Sequence, residues 1–284
     1  MIVIAGGSGN IGRQLATYLR TQGNEVSILS RFKKSNQEFY WNPETQEIDV
    51  HFPFDAVEVL INLCGSGIGD RGWSEKRRHE LFTSRIIPTQ YLVRLSDRMP
   101  NLKQVLQISG ATCYGKSTGI KHQEEDAFGE GFLSQLTQKW EAAATFSVPT
   151  TILRAGVVMY QGGALAKIKK PIALGFGSYI GDGSQIVPWI SMHDLVRLFH
   201  FALTKPLIGT YHAVTVNQSN ASITDELLAM HHKRKWFPNV PKWLLRAILG
   251  EMSDLLIESY EVDSQKLLEA GFVPQELCLK DLSC

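Results

Sequence analysis

Short apolar runs alternate with longer amphipathic runs through much of the chain. The apolar runs have the length of buried strands, and the amphipathic runs have the periodicity of helices. Strands are predicted over residues 2–5, 25–30, 56–63, 105–109 and 150–154. Helices are predicted over residues 13–20, 74–85, 132–146, 223–231 and 240–252. Strands that alternate with helices in this way indicate an α/β fold with a doubly wound parallel sheet.

A glycine motif lies between the first predicted strand and the first predicted helix. Gly6, Gly9 and Gly12 follow the strand at GxxGxxG spacing. Gly6 would allow a tight turn, Gly9 would let the backbone approach a pyrophosphate, and Gly12 would let the helix pack closely. The alternative is a glycine-rich turn without a ligand. Because strand, glycines and helix occur in this order, we predict a dinucleotide site whose phosphates face the start of the helix.

The end of the second predicted strand indicates which dinucleotide is bound. A cofactor without a 2′-phosphate is usually held by an acidic residue at this position. Here the strand ends in Ser30-Arg31, and Lys33 and Lys34 follow. A guanidinium can bind a phosphate through two hydrogen bonds, so Arg31 favours NADP(H) over NAD(H). The alternative is a solvent-exposed arginine without a ligand.

The sequence changes character after residue 155, where glycines and aromatic residues become frequent. We interpret this part as loops and short elements that close over the cofactor, at the sheet edge where α/β folds bind ligands. A Rossmann domain is therefore predicted over residues 1–155, and a smaller C-terminal substrate lobe, interleaved with the sheet, over residues 156–284. The last predicted helix carries an apolar stripe, which is typical of a core or a pocket wall: Trp243, Leu244, Ala247, Ile248 and Met252.

Composition excludes several classes of partner. The chain has 284 residues, 44% of them hydrophobic and 20% charged, and its formal net charge is +1. This charge gives no reason to expect nucleic acid or an anionic membrane as a partner, and no apolar run approaches the about 20 residues that span a bilayer. We expect no leader peptide, since the first strand starts at the first residues. The cysteines lack CxxC spacing and the histidines show no metal pattern, which indicates a cytoplasmic protein without a metal site: Cys64, Cys113, Cys278 and Cys284.

Several motifs together carry a resemblance to a known family. The glycine loop, Asn62-Leu-Cys-Gly65, Tyr114-Gly115 and Leu153-Arg-Ala-Gly156 resemble an extended short-chain dehydrogenase/reductase. Arg71-Gly-Trp-Ser74, Lys139-Trp-Glu141 and Leu249-Gly-Glu-Met252 narrow this to the atypical NAD-dependent epimerase/dehydratase-like subgroup of unknown substrate, also labelled cell-division-inhibitor-like. The resemblance implies the extended reductase form of the Rossmann fold. It also implies a cofactor site, beside Gly12, formed by Gly6, Ser8, Gly9, Asn10, Ile11, Ser30, Arg31, Leu63, Cys64 and Gly65.

The chain departs from this family at the catalytic positions. Extended reductases use a Tyr-x-x-x-Lys pair, in which the lysine lowers the pKa of the tyrosine so that its phenol can move a proton. If Glu141 is the glutamate that follows the lysine, Thr137 occupies the lysine position and Leu133 the tyrosine position. Gly110 occupies the place of the usual Ser or Thr hydroxyl.

Replacement chemistry has several candidates. Ser109 and Thr112 flank the altered hydroxyl position, and Tyr114 carries a phenol at the end of the same predicted strand. These three residues are the predicted catalytic residues, although Tyr114 is also typical of a packed core tyrosine. Cys64 and Cys113 would end neighbouring strands, but buried cysteines are usually unreactive. His193-Asp194 is a further candidate pair, and its alternative role is to cap a helix and orient the lobe.

Residues beyond the cofactor site indicate a small-molecule substrate. The resemblance implies that two residues before the second helix and three later ones face the cleft: Arg71, Trp73, Arg154, Gln185 and Trp189. Related sequences often place the basic residue directly before the tryptophan, whereas Gly72 intervenes here. The arginines suggest an anionic group on the substrate, although surface arginines are common. An oligomer is compatible with the sequence.

Two functions remain open at this point. The first is an NADP(H)-dependent oxidoreductase or epimerase-like enzyme with nonstandard catalytic residues, since hydride transfer itself resides in the cofactor. The second is a catalytically inactive NADP(H)-binding regulatory or interaction protein, for which loss of the Tyr-Lys pair is expected. A structural role with an empty cleft is a weaker third possibility, because Arg31 and the glycine loop argue against it.

Overall fold

The computed structural model describes residues 1–117, 119–205 and 207–282. Its main sheet has the strand order β10-β7-β6-β5-β1-β2-β3-β4. These strands are β1 (Ile2–Ala5), β2 (Val26–Ser30), β3 (Glu38–Asn42), β4 (Glu47–Ile48), β5 (Val59–Asn62), β6 (Gln104–Gly110), β7 (Thr150–Ala155) and β10 (Gly209–Ala213). All neighbours pair in parallel except β3 and β4. The predicted doubly wound parallel sheet is confirmed.

Some helices cover the two faces of this sheet, and the other helices pack away from it. Their bounds are α1 (Asn10–Thr21), α2 (Glu75–Ser96), α3 (Phe132–Ala142), α4 (Ala164–Ala173), α5 (Met192–Thr204), α6 (Asn220–Met230), α7 (Lys242–Leu249), α8 (Asp254–Ile257) and α9 (Gln265–Glu269). Side chains alternate along each strand, so Ile2 and Ile4 pack with α1 and α5 while Val3 and Ala5 pack with α2. Burial on both faces explains why the central strands are continuous apolar runs.

The order of the strands reverses beside β1. The chain runs from β1 outward through β2 and β3, and then returns to β5 on the other side of β1. Open α/β sheets bind their ligands at such a reversal, outside the carboxyl ends of the strands. The glycine loop follows β1 directly and therefore lies at this switch point.

The chain after residue 155 contributes to the main sheet and also forms a second layer. Strand β10 pairs with β7, and α5 packs against α1. A smaller sheet consists of β8 (Val157–Met159), β9 (Ile186–Ser191) and β11 (Val216–Ser219) in the order β11-β9-β8. It shares a separate apolar core with α4 and α6.

Two predicted helices differ from the observed ones. Helix α2 continues to Ser96 with Pro88 inside it, because Leu92 and Leu95 beyond the proline are buried against the sheet.

The apolar stripe of α7 was predicted to be core or pocket wall, and this is wrong for its largest side chains. Trp243 is 69% exposed and Ile248 is 68% exposed. Periodicity identified the helix, but it does not say whether an apolar face has a partner.

Candidate functional site

The glycine loop is sterically restricted to glycine at two of the predicted positions. Gly6 has a φ of +77°, and a Cβ there would lie 2.7 Å from the carbonyl carbon of Leu63. A Cβ on Gly12 would lie 2.5 Å from the Cα of Gly7 and 2.6 Å from the carbonyl oxygen of Gly6. The start of α1 is therefore held against the loop after β1, in a packing that any side chain would disrupt.

The first turn of α1 is open to an anion. Gly9 is the N-cap, no described side chain caps the helix, and its first turn contains no acidic residue. The first amides of a helix have no partner within the helix, and the helix dipole places partial positive charge beside them. This end of α1 has the chemistry of a phosphate site.

Arg31 stands alone at the end of β2. Its side chain is exposed and makes no hydrogen bond or ion pair with any described residue. Lys33, by contrast, pairs with Asp49 at 3.3 Å. The Ser30 hydroxyl bonds the backbone of Phe32, which fixes the turn that carries the arginine. An unpaired guanidinium at this position is free to bind a phosphate.

The remaining predicted cofactor residues surround the same edge of the sheet. Ser8, Asn10 and Ile11 follow β1, and Leu63, Cys64 and Gly65 follow β5, which pairs with β1. Asn62, whose positioning role was not predicted, accepts a hydrogen bond from the Cys64 amide at 3.1 Å. Its own amide group donates to Thr89 and Gln107 in the interior. A buried asparagine at the end of an apolar strand was the available sequence signal for this positioning role.

The two thiols near the cleft are not activated. Cys64 and Cys113 follow the neighbouring strands β5 and β6, as predicted. Burial raises the pKa of each thiol to about 12, although Arg31 acts in the opposite direction on Cys64 and Arg154 on Cys113. Reactive cysteines need a lowered pKa, so the geometry argues against thiol chemistry here.

Tyr114 belongs to a buried network and does not reach an open cleft. Its hydroxyl oxygen accepts a hydrogen bond from Arg154 Nη1 at 2.6 Å. The hydroxyl donates to His212 Nε2 at 2.6 Å, and His212 Nδ1 donates to the Asp263 carbonyl at 2.5 Å. Burial raises the pKa of the Tyr114 phenol well above its usual value. A catalytic phenol needs the opposite shift, so these contacts favour a structural role for Tyr114, and its role as a proton donor stays a prediction.

Ser109 and Arg154 are engaged in the same network. The carboxylate of Glu141 accepts hydrogen bonds from Arg154 Nε at 2.9 Å and Nη2 at 2.7 Å. It also accepts one from Ser109 Oγ at 2.5 Å. Burial is the largest single influence on Arg154 and lowers its pKa. The hydrogen bonds to Glu141, together with electrostatic interactions with Cys113, Glu141 and Tyr114, outweigh burial and raise the pKa of the guanidinium. Ser109, a predicted catalytic residue, and Arg154, predicted to face the substrate, thus both bond the carboxylate of Glu141 in the interior.

A cavity of about 200 Å³ lies between the start of α3 and the segment around α8. Thr112 and Leu133 line it, so the cavity contains the family's tyrosine position. A Cβ on Gly110 would lie 3.6 Å from Thr137 Oγ1 and 3.9 Å from Thr112 Oγ1. Two threonine hydroxyls therefore flank the place of the missing hydroxyl, and Thr112 is the predicted catalytic residue that reaches this cavity.

The walls of the cavity are aromatic on one side and charged on the other. Trp73 stacks obliquely on Phe132, with ring centroids 4.8 Å apart, and Tyr260 completes the apolar side. The charged lining groups are Lys116, Glu130, Glu251, Asp254 and Glu258. Glu258 pairs with Lys116 at 2.9 Å, and Glu251 pairs with Arg78, so these two lining carboxylates have cationic partners.

Only part of the predicted substrate wall lies on this cavity. Trp73 lines the cavity, and Arg71 is exposed in the neighbouring loop. Gln185 and Trp189 are buried, with their side-chain N–H groups donating to the Leu256 carbonyl and to Gln218 at 3.0 Å. Like Arg154, both are interior residues by burial, although the side-chain oxygen of Gln185 has no hydrogen-bond partner among the described residues.

His193-Asp194 fits its structural alternative. Asp194 is buried and accepts backbone hydrogen bonds from Gln275 and Glu276 at 2.9 Å each. Its own amide donates to Ser191, the N-cap of α5. Ser191, and not this pair, therefore caps α5, while Asp194 anchors the C-terminal segment.

No group of three or more His, Cys, Asp or Glu side chains that could hold a metal occurs among the described residues. Within the same residues, none of the helices has the length and hydrophobicity needed to cross a membrane. Cys64, Cys113 and Cys278 are free thiols, and Cys284 lies outside the described residues.

Comparison with known proteins identifies the family. Residues 2–217 match the model of the NAD dependent epimerase/dehydratase family, and residues 240–277 match a domain of unknown function. The chain belongs to this epimerase/dehydratase family. The epimerase family protein ML0860 of Mycobacterium leprae is 34% identical over 96% of this chain and 91% of its own length. The resemblance inferred from the motifs is confirmed.

Solved structures in this family share the fold. Human epimerase family protein SDR39U1 (isoform 2), crystallised with NADPH, aligns at a TM-score of 0.88 and 29% identity, covering 96% of this chain and 94% of the human one. UDP-glucose 4-epimerase of Thermotoga maritima, crystallised with UDP-glucose, aligns at 0.76 and 17% identity, over 96% of this chain and 93% of that one. Because the sequence identity in this second comparison is low, it shows only that the two proteins share a fold.

Proposed function

We propose that this protein is an NADP(H)-dependent oxidoreductase or epimerase-like enzyme that acts on a small molecule without the usual Tyr-Lys pair. One observation carries the proposal. A glycine cradle opens onto the uncapped start of α1, and the unpaired Arg31 stands at the end of the neighbouring strand β2. These are the two anion sites that a dinucleotide with a 2′-phosphate requires.

The residues present fit this cofactor. The first-turn amides of α1 would hold the diphosphate, and Arg31 would bind the 2′-phosphate through its guanidinium. The close backbone packing at Gly6 and Gly12 would hold the loop and the start of α1 in the position that binds the diphosphate. The human relative crystallised with NADPH supports the same cofactor. When bound, the nicotinamide supplies or accepts the hydride.

The chain's own contribution to chemistry would come from the cavity beside α3. Leu133 and Thr137 stand at the Tyr and Lys positions, so neither residue type that normally moves the proton is present there. We assign Thr112 the role of a hydrogen-bonding residue that orients a substrate oxygen, because it lines the cavity. The aromatic wall formed by Trp73 and Phe132 would exclude water from the reacting atoms.

The lining of this cavity bears on the substrate. The expectation of an anionic group depended on Arg71 and Arg154, and Arg154 is buried in an ion pair. Four carboxylates and one lysine line the cavity: Glu130, Glu251, Asp254, Glu258 and Lys116. Glu251, Asp254 and Glu258 have cationic partners, and the lining lysine is itself paired with Glu258. Because no unpaired cation lines the cavity among the described residues, we propose a substrate that presents uncharged hydrogen-bonding groups to this wall. The free thiols support a reducing, cytoplasmic environment.

The second candidate is a catalytically inactive NADP(H)-binding regulatory or interaction protein. The interior hydrogen bonds of Tyr114 and Ser109 favour this candidate. Thr112 is then the one predicted catalytic residue that lines the cavity. Both candidates require the cofactor. They differ in whether bound NADPH is consumed.

Calorimetric titration of the purified protein with NADPH and NADH tests the proposal. A charge-assisted hydrogen bond contributes about 1.5–3 kcal/mol, so NADPH should bind about tenfold to a hundredfold more tightly. Absence of binding by either dinucleotide would contradict both candidates. Oxidation of NADPH in a screen of carbonyl and nucleotide-sugar compounds would favour the enzyme, whereas tight binding with no consumption would favour the regulatory protein.

A further inference from the structure

A tyrosine from the second layer of the protein reaches the glycine loop. Tyr160 follows β8, and its ring lies against the glycine pair that comes after it. A Cβ on Gly163 would lie 2.0 Å from Tyr160 Cε1, and one on Gly162 would lie 3.2 Å from Cε2. The Gly163 amide donates to the Tyr160 carbonyl at 3.1 Å, which closes a tight turn. The absence of a side chain on Gly163 therefore leaves room for the Tyr160 ring in this position.

The phenol oxygen is held at the first residue of α1. Asn10 Nδ2 donates a hydrogen bond to Tyr160 Oη at 2.9 Å. Arg13 Nη2 in turn donates to Asn10 Oδ1 at 2.8 Å, which orients the asparagine. Asn10 is the first helical residue after the N-cap Gly9, so Tyr160 Oη lies at the rim of the open amides.

The hydroxyl of Tyr160 has an unused donor. Its oxygen accepts from Asn10, while its own hydrogen has no acceptor among the described residues. A phenol can donate one hydrogen bond in addition to those it accepts. The first turn of α1 carries no acidic residue, so an O–H at this rim adds to a set of donors that faces an anion.

We propose that Tyr160 donates a hydrogen bond to the diphosphate of the bound dinucleotide and clamps it against the start of α1. This assignment rests on the proposed cofactor and adds a positioning residue to its site. Because Tyr160 comes from the segment after β8, the clamp would connect cofactor occupancy to the second layer of the protein. A tyrosine that serves only to pack against the core is the alternative, since its ring also contacts apolar residues there.

Replacing Tyr160 with Phe removes the hydroxyl and keeps the ring. Binding of NADPH, NADH and adenosine 2′-monophosphate is measured by calorimetry. Both dinucleotides contain the diphosphate, so Tyr160→Phe should weaken both by a similar factor, about tenfold or more. The monophosphate lacks a diphosphate and should bind as to the wild type. Gly163→Ala, which displaces the ring, should weaken the dinucleotides as well.

Tyr18→Phe is the matched control. Tyr18 is also a half-buried tyrosine, lies on α1 and lines the same surface groove as Tyr160. Its replacement should change neither dinucleotide. Unchanged dinucleotide binding by Tyr160→Phe, or equal weakening of the monophosphate, would overturn the clamp while leaving the proposed cofactor intact. Failure of the wild type to bind any dinucleotide would overturn the proposed function and the clamp together.

Discussion

Glu141 is expected to be among the most costly side chains to remove, because it neutralises a buried arginine. Its carboxylate accepts two hydrogen bonds from Arg154 and one from Ser109. The paired side chains are only 5% exposed for Arg154 and 9% exposed for Glu141. Glu141→Ala leaves the guanidinium in the interior without its counter-charge. Breaking a buried pair in this way costs about 3–5 kcal/mol.

Thermal unfolding measures this effect. For a chain of this size, 1 kcal/mol corresponds to about 2–4 °C in Tm, so Glu141→Ala should lower Tm by about 6–20 °C. Glu125→Ala is the control, because its pair with Lys266 has side chains 69% and 37% exposed. Such surface pairs contribute about 0–1 kcal/mol. If Glu141→Ala lowered Tm no more than the control does, the buried ion pair would not be a stabilising element of the fold.

Three further outcomes follow from the geometry. Tyr114→Phe should lower the free energy of unfolding by about 1–3 kcal/mol, since His212 loses a buried donor, and should leave cofactor affinity and any turnover unchanged. Burial lowers the pKa of His212, so stability should be fully present above the unfolded pKa of about 6.5 and be lost as pH falls below it. Between pH 6.5 and 5.5, the free energy of unfolding should change less steeply with pH in His212→Gln than in the wild type, by up to about 1.4 kcal/mol per pH unit. Gly12→Ala should abolish dinucleotide binding, because its Cβ would lie 2.5 Å from Gly7, whereas Gly69→Ala, with nothing within 4 Å, should bind as the wild type does.

For each of these variants, a specific result would contradict the prediction. Loss of turnover in Tyr114→Phe with unchanged stability would restore the phenol as a proton donor. Equal pH slopes for wild type and His212→Gln would show that this imidazole gains its proton as readily in the fold as in the unfolded chain. Normal dinucleotide affinity in Gly12→Ala would mean that the loop tolerates a side chain and does not form a close backbone cradle.

Sequence patterns predicted the features that depend on neighbouring residues. The strand, the glycine motif and α1 follow one another in the chain, so their joint geometry is fixed locally and was predicted in order. The position of Arg31 at the end of a strand was also predicted, because the residue directly follows that strand in the sequence. The structure adds that no described residue competes for the guanidinium, which only tertiary contacts can reveal.

Residues whose roles depend on distant partners were predicted less well. Arg154 ends a strand near the cleft, and nothing in its own segment indicates that Glu141 on α3 neutralises it. The segment of Tyr114 predicts a phenol that faces the cleft. The hydrogen bond between its hydroxyl and His212 on β10 joins residues far apart in the sequence, so the segment does not indicate it. Tyr160 was not predicted at all, because its contact with Asn10 joins residues far apart in the sequence.

Cofactor discrimination by Arg31 is the most direct test of the central claim. Dissociation constants for NADPH and NADH are measured for the wild type and for Arg31→Asp. The geometry predicts that NADPH binding weakens by at least about tenfold to a hundredfold while NADH binding changes far less, because only NADPH carries the 2′-phosphate. Equal weakening of both dinucleotides, or of neither, would contradict the assignment of this arginine and with it the proposed NADP(H) site.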